Sequence, residues 1–199
     1  MTDIGVSPAA VLHAAFCTDP GRMRPNNEDV PLVDGDRGVY GVIDGVGGHA
    51  AGEIAANLAY DVILQRLARP MGTPAERVRE AIAIANNEIY RRAGESPDLH
   101  GMACVVTLAI VTDRMLTIGH VGDSRLYLLR GNGMQKLTHD HSPVGEREDA
   151  QEMSEIDAMR HPRRNEVFRD VGSGYRDKDD EEFVEVTEVP FAIDCAILL

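Results

Sequence analysis

Acidic residues recur in this chain where a loop or a glycine break interrupts an apolar run, and carboxylates placed that way suit a hard divalent cation. The first group is Thr18-Asp19-Pro20-Gly21-Arg22-Met23-Arg24-Pro25-Asn26-Asn27-Glu28-Asp29, with two adjacent carboxylates and two arginines in one turn-forming segment. Arg24 can grip a phosphate through its planar fork while Glu28 faces a cation. Taken alone, the same residues also describe a polar loop of arginine–carboxylate pairs. The second group is Val42-Ile43-Asp44-Gly45-Val46-Gly47-Gly48-His49-Ala50-Ala51-Gly52-Glu53, where an apolar run delivers an acid into glycines ahead of a helix. A phosphate-cradling dinucleotide loop has that outline. So does a metal site in which Asp44 ligates the ion and the Gly45 carbonyl turns in beside it, and so does a glycine turn needed only for close packing. Asp44 favours the metal over the dinucleotide, because a carboxylate at a strand tip repels a pyrophosphate. The acid expected ~20 residues on at a second strand end is also missing, since Asp61 falls inside a helix. The third group, Ile118-Gly119-His120-Val121-Gly122-Asp123-Ser124-Arg125, repeats the device: an acid in a glycine break between two apolar runs. By itself that is an ordinary β-turn. Three strand-edge acids in one acidic chain strengthen one another, because clustered carboxylates need cations to offset their repulsion.

The elements that must place these groups follow from periodicity. Val39 to Ile43 predicts a strand that stops at Asp44-Gly45, putting Asp44 at a strand mouth. Ala51 to Leu67 predicts a helix with Ile54, Leu58, Val62 and Leu67 on its apolar stripe. Pro74 to Ala93 predicts a second, opened by Thr73 as N-cap and Pro74 at the first position, with Val78, Ile82, Ala85 and Ile89 inward. Short β-rich runs follow at Cys104 to Val111, Met115 to Val121 and Leu126 to Leu129, separated by Thr112-Asp113-Arg114 and Gly131-Asn132-Gly133. One strand, two helices and then several strands predict an α+β sandwich with helices on the sheet faces rather than alternating βαβ units. The charged stretch Glu146 to Glu182 reads as a surface excursion.

At 199 residues and 43% hydrophobic, the chain suits one domain with one sizeable core. A formal charge of −13 repels phosphate backbones and anionic membranes, so neither nucleic acid nor membrane is an expected partner. Cys17, Cys104 and Cys195 are an odd, widely spaced set without CxxC pairing and read as buried thiols in a reducing compartment. No apolar stretch approaches the ~18 residues of a membrane span, and the expected location is the cytoplasm. His49, His120, His139 and His141 lack HExxH spacing and read as structural or solvent-facing. GxSxG elbows, Walker loops and kinase signatures are absent, which leaves acyl transfer on serine and ATP hydrolysis without support.

Together, Arg24-Pro-Asn-Asn-Glu28-Asp29, Asp44-Gly-Val-Gly-Gly-His-Ala-Ala-Gly52, Gly122-Asp-Ser-Arg125 and Leu137-Thr-His-Asp-His-Ser142 resemble the ordered motifs of bacterial metal-dependent protein phosphatases of the 2C type. His161-Pro-Arg-Arg-Asn165 resembles the end of that family's mobile flap, so the likeness covers residues 14–199, with 1–13 a tail and 143–180 the flap-like segment. The resemblance implies a sandwich of two antiparallel sheets flanked by helices, lacking its last elements, with two or three Mn²⁺ or Mg²⁺ ions at one edge. It implies hydrolysis of phosphoserine and phosphothreonine in proteins by a metal-activated water, in a monomer working opposite a serine/threonine kinase. Carried over by position, Asp44 bridges the two principal ions, Glu28 and the Gly45 carbonyl serve one of them, and Asp29 holds metal-bound water. Arg24 binds the substrate phosphate, and Asp123 helps hold a third ion. Two metals ~3.5–4 Å apart acidify a bridging water and neutralise the phosphoryl oxygens, so no protein nucleophile is needed. The chain departs from the family twice. Family members continue past the apolar run Asp194 to Leu199 into a Ser-Asp-Gly motif and a later acid, so this sequence holds part of the metal set. Eukaryotic relatives also carry a histidine where this chain has Val46, which leaves no leaving-group acid assigned. A phosphoprotein-binding or regulatory module with the same fold is the alternative reading.

Overall fold

Two strands with a four-residue turn between them begin the architecture: β1 (Asp29–Asp34) and β2 (Val39–Val46) pair antiparallel with Asp29 opposite Asp44. The computed structural model describes residues 12–22, 26–47, 51–112, 114–177, 180–192 and 194–199. Next come helices α1 (Ala51–Leu67) and α2 (Pro74–Ala93), then strands β3 (Ala103–Val111) and β4 (Met115–Val121), and the hairpin β5 (Tyr127–Arg130) and β6 (Gly133–Lys136). Two short helices, α3 (Pro143–Asp149) and α4 (Glu155–Arg160), precede β7 (Glu185–Pro190) and β8 (Cys195–Leu198). All pairings are antiparallel, in a five-stranded sheet ordered β1-β2-β3-β4-β7 and a three-stranded sheet ordered β6-β5-β8. This is the α+β, two-sheet arrangement that the sequence predicts.

Alternation along the large sheet divides the core into two layers. Leu32, Ile43, Val106, Leu108 and Val121 face the helices and meet Ile63, Val78, Ile82 and Ile89. Tyr40, Ala109, Leu116 and Ile118 face the small sheet and meet Leu126, Leu128 and Leu137. Helix α2 forms as expected: Thr73 and Glu76 make a reciprocal capping box, Pro74 opens the helix, and Val78, Ile82, Ala85 and Ile89 are all buried.

Three expectations need correction. Strand β2 does not stop at Ile43 but runs through Asp44 and Gly45 to Val46, because β1 and β3 continue to pair there and place Asp29 and Val105 opposite Asp44. On α1 the buried face is Ala51, Gly52, Ala55, Ala56, Ala59, Ile63 and Leu67; of the expected stripe only Leu67 is fully buried, with Ile54 exposed and Leu58 and Val62 half-buried. A face of small residues lets the helix lie close to the sheet, and a search for large apolar residues overlooks it. Of the cysteines, only Cys104 is buried; Cys17 is exposed and Cys195 intermediate, all three being free thiols.

Candidate active site

The acid-bearing segments meet at one end of the large sheet, and glycines decide how closely. The Gly45 N–H donates to the Glu28 carbonyl at 3.0 Å, extending the β1–β2 ladder by one residue beyond Asp29. Directly cross-strand residues project to the same side of a sheet, so Asp29 and Asp44 share the face turned toward the small sheet. The first turn of α1 crosses this end so tightly that a Cβ on Gly45 would lie 2.3 Å from the Gly52 carbonyl oxygen. A Cβ on Gly52 would in turn lie 3.0 Å from Glu28 Oε1 and 3.1 Å from the Gly45 carbonyl oxygen. Two hard oxygen donors thus converge on one spot that two glycines keep open.

Asp123 reaches the same end from β4. Gly122 has φ +117°, and a Cβ there would sit 2.2 Å from the Cβ of Val105, the residue opposite Asp44 on β3. Only glycine meets both demands. Asp123 is half-buried, and burial followed by the neighbouring Asp140 carboxylate raises its pKa above the ordinary range. With Arg125, Tyr127, Asp140, Arg164 and Asn165 it lines a cavity of about 570 Å³.

The structure therefore brings Glu28 together with Gly45 and Asp29 together with Asp44, while Asp123 sits beyond Val105 among other partners. Arg24 and His49 lie outside the described residues. Among the described residues no three His, Cys, Asp or Glu side chains converge into a metal cluster. The donors that do converge are a carboxylate and a carbonyl, the oxygen chemistry that suits Mg²⁺ or Mn²⁺ rather than a soft metal.

Several residues around the site carry no signal that composition or spacing could reveal. Arg125 donates to Asp140 from Nε at 3.1 Å and from Nη2 at 2.5 Å, to Glu148 at 2.7 Å and to Glu155 at 2.9 Å, pinning α3 and α4 to the start of β5. Lys136 adds a 2.9 Å bond to Glu148. His120, His141 and Glu185 form a second cluster behind Asp123. Within the motif Leu137 to Ser142 only the order of residue types was legible, and no role for Asp140 or His141.

The protein phosphatase 2C family model matches residues 19–150. The chain is 35% identical over 196 residues to the serine/threonine phosphatase stp of Listeria monocytogenes, covering 94% of this chain and 76% of that one. It is 34% identical over 164 residues to the serine/threonine protein phosphatase PstP of Mycobacterium tuberculosis, covering 80% of this chain and 31% of that protein. Among solved structures, the M. tuberculosis serine/threonine phosphatase PstP/Ppp superposes with a TM-score of 0.78 at 27% identity, over 91% of this chain and 74% of that chain. A PstP catalytic domain in complex with two manganese ions superposes at 0.74 and 26% identity, over 88% and 71%. The chain belongs to the protein phosphatase 2C family.

Proposed function

We propose that this domain hydrolyses phosphoserine and phosphothreonine esters of proteins, using Mn²⁺ or Mg²⁺ as its cofactor. The convergence of Glu28 Oε1 and the Gly45 carbonyl beside the Asp29–Asp44 pair carries the reading, because these are oxygen donors assembled where the family's motifs align. In this reading Asp44, Glu28 and the Gly45 carbonyl hold the principal ions, Asp29 orients water, Asp123 holds a further ion and Arg24 binds the substrate phosphate. When bound, the ions acidify a water and offset the charge of the phosphoryl group. The chain's own part is positional. Gly45 and Gly52 keep the donor pair exposed to each other, and the pairing of β1 with β2 fixes Asp29 against Asp44.

Residues 14–199 form the catalytic-type domain on this reading, with 143–180 as its flap. Its partners are phosphorylated proteins, and a cognate serine/threonine kinase supplies them. The odd, dispersed cysteines favour the cytoplasm, and the domain is read as a monomer. No helix among the described residues is long and apolar enough to cross a membrane. The test is Mn²⁺-dependent release of phosphate from a phosphoserine peptide, with Asp44→Asn lowering the rate at least 100-fold. Peptide binding without metal-dependent release, unchanged in Asp44→Asn, would favour the regulatory module instead.

A further inference from the structure

Both backbone groups of Gly122 are taken by one residue from a distant part of the chain. The Gly122 N–H donates to His141 Nδ1 at 3.0 Å, and the His141 N–H donates to the Gly122 carbonyl at 2.7 Å. Because a backbone N–H can only donate, Nδ1 must present its lone pair, and the neutral ring carries its hydrogen on Nε2. Nε2 lies 3.4 Å from Glu185 Oε2 on β7. Arg169 Nη1, 3.2 Å from Nε2, is then a neighbour rather than a donor to it, since both atoms carry hydrogens. The His141 carbonyl accepts the Phe168 N–H at 3.0 Å. His141 itself is buried and lies against His120, with ring centroids 4.9 Å apart.

His120 repeats the logic one layer deeper. Its Nε2 lies 3.0 Å from the His139 carbonyl, which only accepts, so Nε2 carries the hydrogen and Nδ1 receives the Thr107 hydroxyl at 2.8 Å. The same hydroxyl lies 3.2 Å from the Ser124 carbonyl, just after Asp123. Two neutral imidazoles of fixed tautomer therefore flank the Gly122-Asp123-Ser124 turn.

We infer that His141 is a positioning residue for Asp123, gripping the Gly122 peptide by its N–H and its carbonyl and anchoring it to β7 through Glu185. The inference rests on the phosphatase reading only for Asp123's role as a metal ligand. Gly122 has a left-handed φ and no room for a side chain, so this grip decides where the next carboxylate points. Outer groups that orient a ligand typically alter metal affinity 10- to 100-fold when removed.

Two substitutions separate the grip from mere packing. His141→Asn places an oxygen near the Nδ1 position and can still accept from Gly122; His141→Gln places its amide near Nε2 and cannot. In both folded variants the Gly122 amide is followed by hydrogen exchange and Mn²⁺ binding by calorimetry. Gln should speed Gly122 exchange at least tenfold and weaken one Mn²⁺ site 10- to 100-fold, with Asn within threefold of wild type. Equal behaviour of Asn and Gln in both measurements overturns the inference. If neither variant folds, long-range ¹⁵N spectra of the wild-type histidines decide it: an Nε2–H tautomer at His141 sustains the grip and an Nδ1–H tautomer removes it. A wild-type chain that binds no Mn²⁺ and releases no phosphate would sink the phosphatase reading, while exchange and tautomer would still report on His141.

Discussion

Gly45 on β2 and Gly52 on α1 approach until a Cβ on the first would lie 2.3 Å from the carbonyl oxygen of the second. Backbone meets backbone there because neither residue has a side chain, and Glu28 closes in from just ahead of β1. Gly45→Ala should cost about 3 kcal/mol through overpacking and abolish Mn²⁺-dependent turnover, while Gly52→Ala, whose Cβ would meet Glu28 Oε1 at 3.0 Å, should cost about 1 kcal/mol and lower that turnover. Gly174→Ala, where a Cβ meets nothing within 4 Å, is the control and should change neither. Thermal melts and phosphopeptide assays read both effects; a tolerated Gly45→Ala contradicts the close crossing.

Acid should destabilise the fold through the histidine cluster. Burial first, and then the neighbouring His141, hold the His120 imidazole down to about 4 against an ordinary 6.5. The unfolded chain takes up that proton first, so the contribution of His120 is fully present above pH 6.5. It is lost as pH falls to 4, on the order of 3 kcal/mol in all. Burial would raise Glu185, but bonds from His141 and His139 hold it down to about 2, so a second loss runs from pH 4.5 downward. His139, raised chiefly by its bond to Glu185, acts oppositely: its contribution is present below pH 6.5 and fades as pH rises through its folded value. The melting temperature should therefore fall between pH 6.5 and 4, and His120→Asn should flatten that slope while lowering stability at pH 7. A wild-type melting temperature that stays level across this window rules the argument out.

Arg125 is the hub of a largely buried ion cluster, and removing a hub is costlier than never having built it. Arg125→Ala leaves Asp140 and Glu148 facing each other without their guanidinium, a loss of about 3–5 kcal/mol. Arg125→Lys should recover only part of that, since one ammonium cannot make the forked contact to Asp140 while reaching Glu148 and Glu155. Urea titrations of the two variants rank them; equal stability of Lys and wild type would mean the fork is dispensable.

Neighbouring asparagines on α2 hold the C-terminal part of the flap-like segment. The Gly172 N–H donates to Asn86 Oδ1 at 2.8 Å, and Asn86 Nδ2 donates to the Gly174 carbonyl at 2.7 Å. Asn87 repeats the pattern on both backbone groups of Arg176, at 2.9 and 2.8 Å. Asn86→Ala should cost about 1–3 kcal/mol by orphaning a buried N–H, and should expose residues 172–176 to limited proteolysis. Asn86→Asp keeps the Gly172 acceptor but sets an oxygen against the Gly174 carbonyl, so it should be cleaved there too. Resistance of both variants to protease would place the clamp elsewhere.

What could be read from sequence was whatever depends on neighbours along the chain. The period of Val78, Ile82, Ala85 and Ile89, the Thr73 cap and the β-rich runs from Cys104 to Val121 all specify local structure, and these elements formed where expected. Asp44, Glu28 and Asp123 were legible as acids in breaks between apolar runs. Their mutual placement was not, because it depends on β1 pairing with β2, a strand that Pro31 and two flanking acids disguise. The Arg125 cluster and the His141 grip join residues 15 to 44 positions apart, and no local pattern announces such bonds.

Among the described residues, β1 is also an outer edge of the large sheet, paired with β2 on one side and with no described strand on the other. Such a border is an invitation to intermolecular strand addition and aggregation. Here Asp29 and Asp34 stand at its two ends, and Pro31 withholds an N–H in between. The Asp29 carboxylate, proposed for the active site, thereby doubles as a gatekeeper against self-association. Neutralising Asp29 would then have two separable consequences: an impaired enzyme, and a protein more prone to clump as its concentration rises.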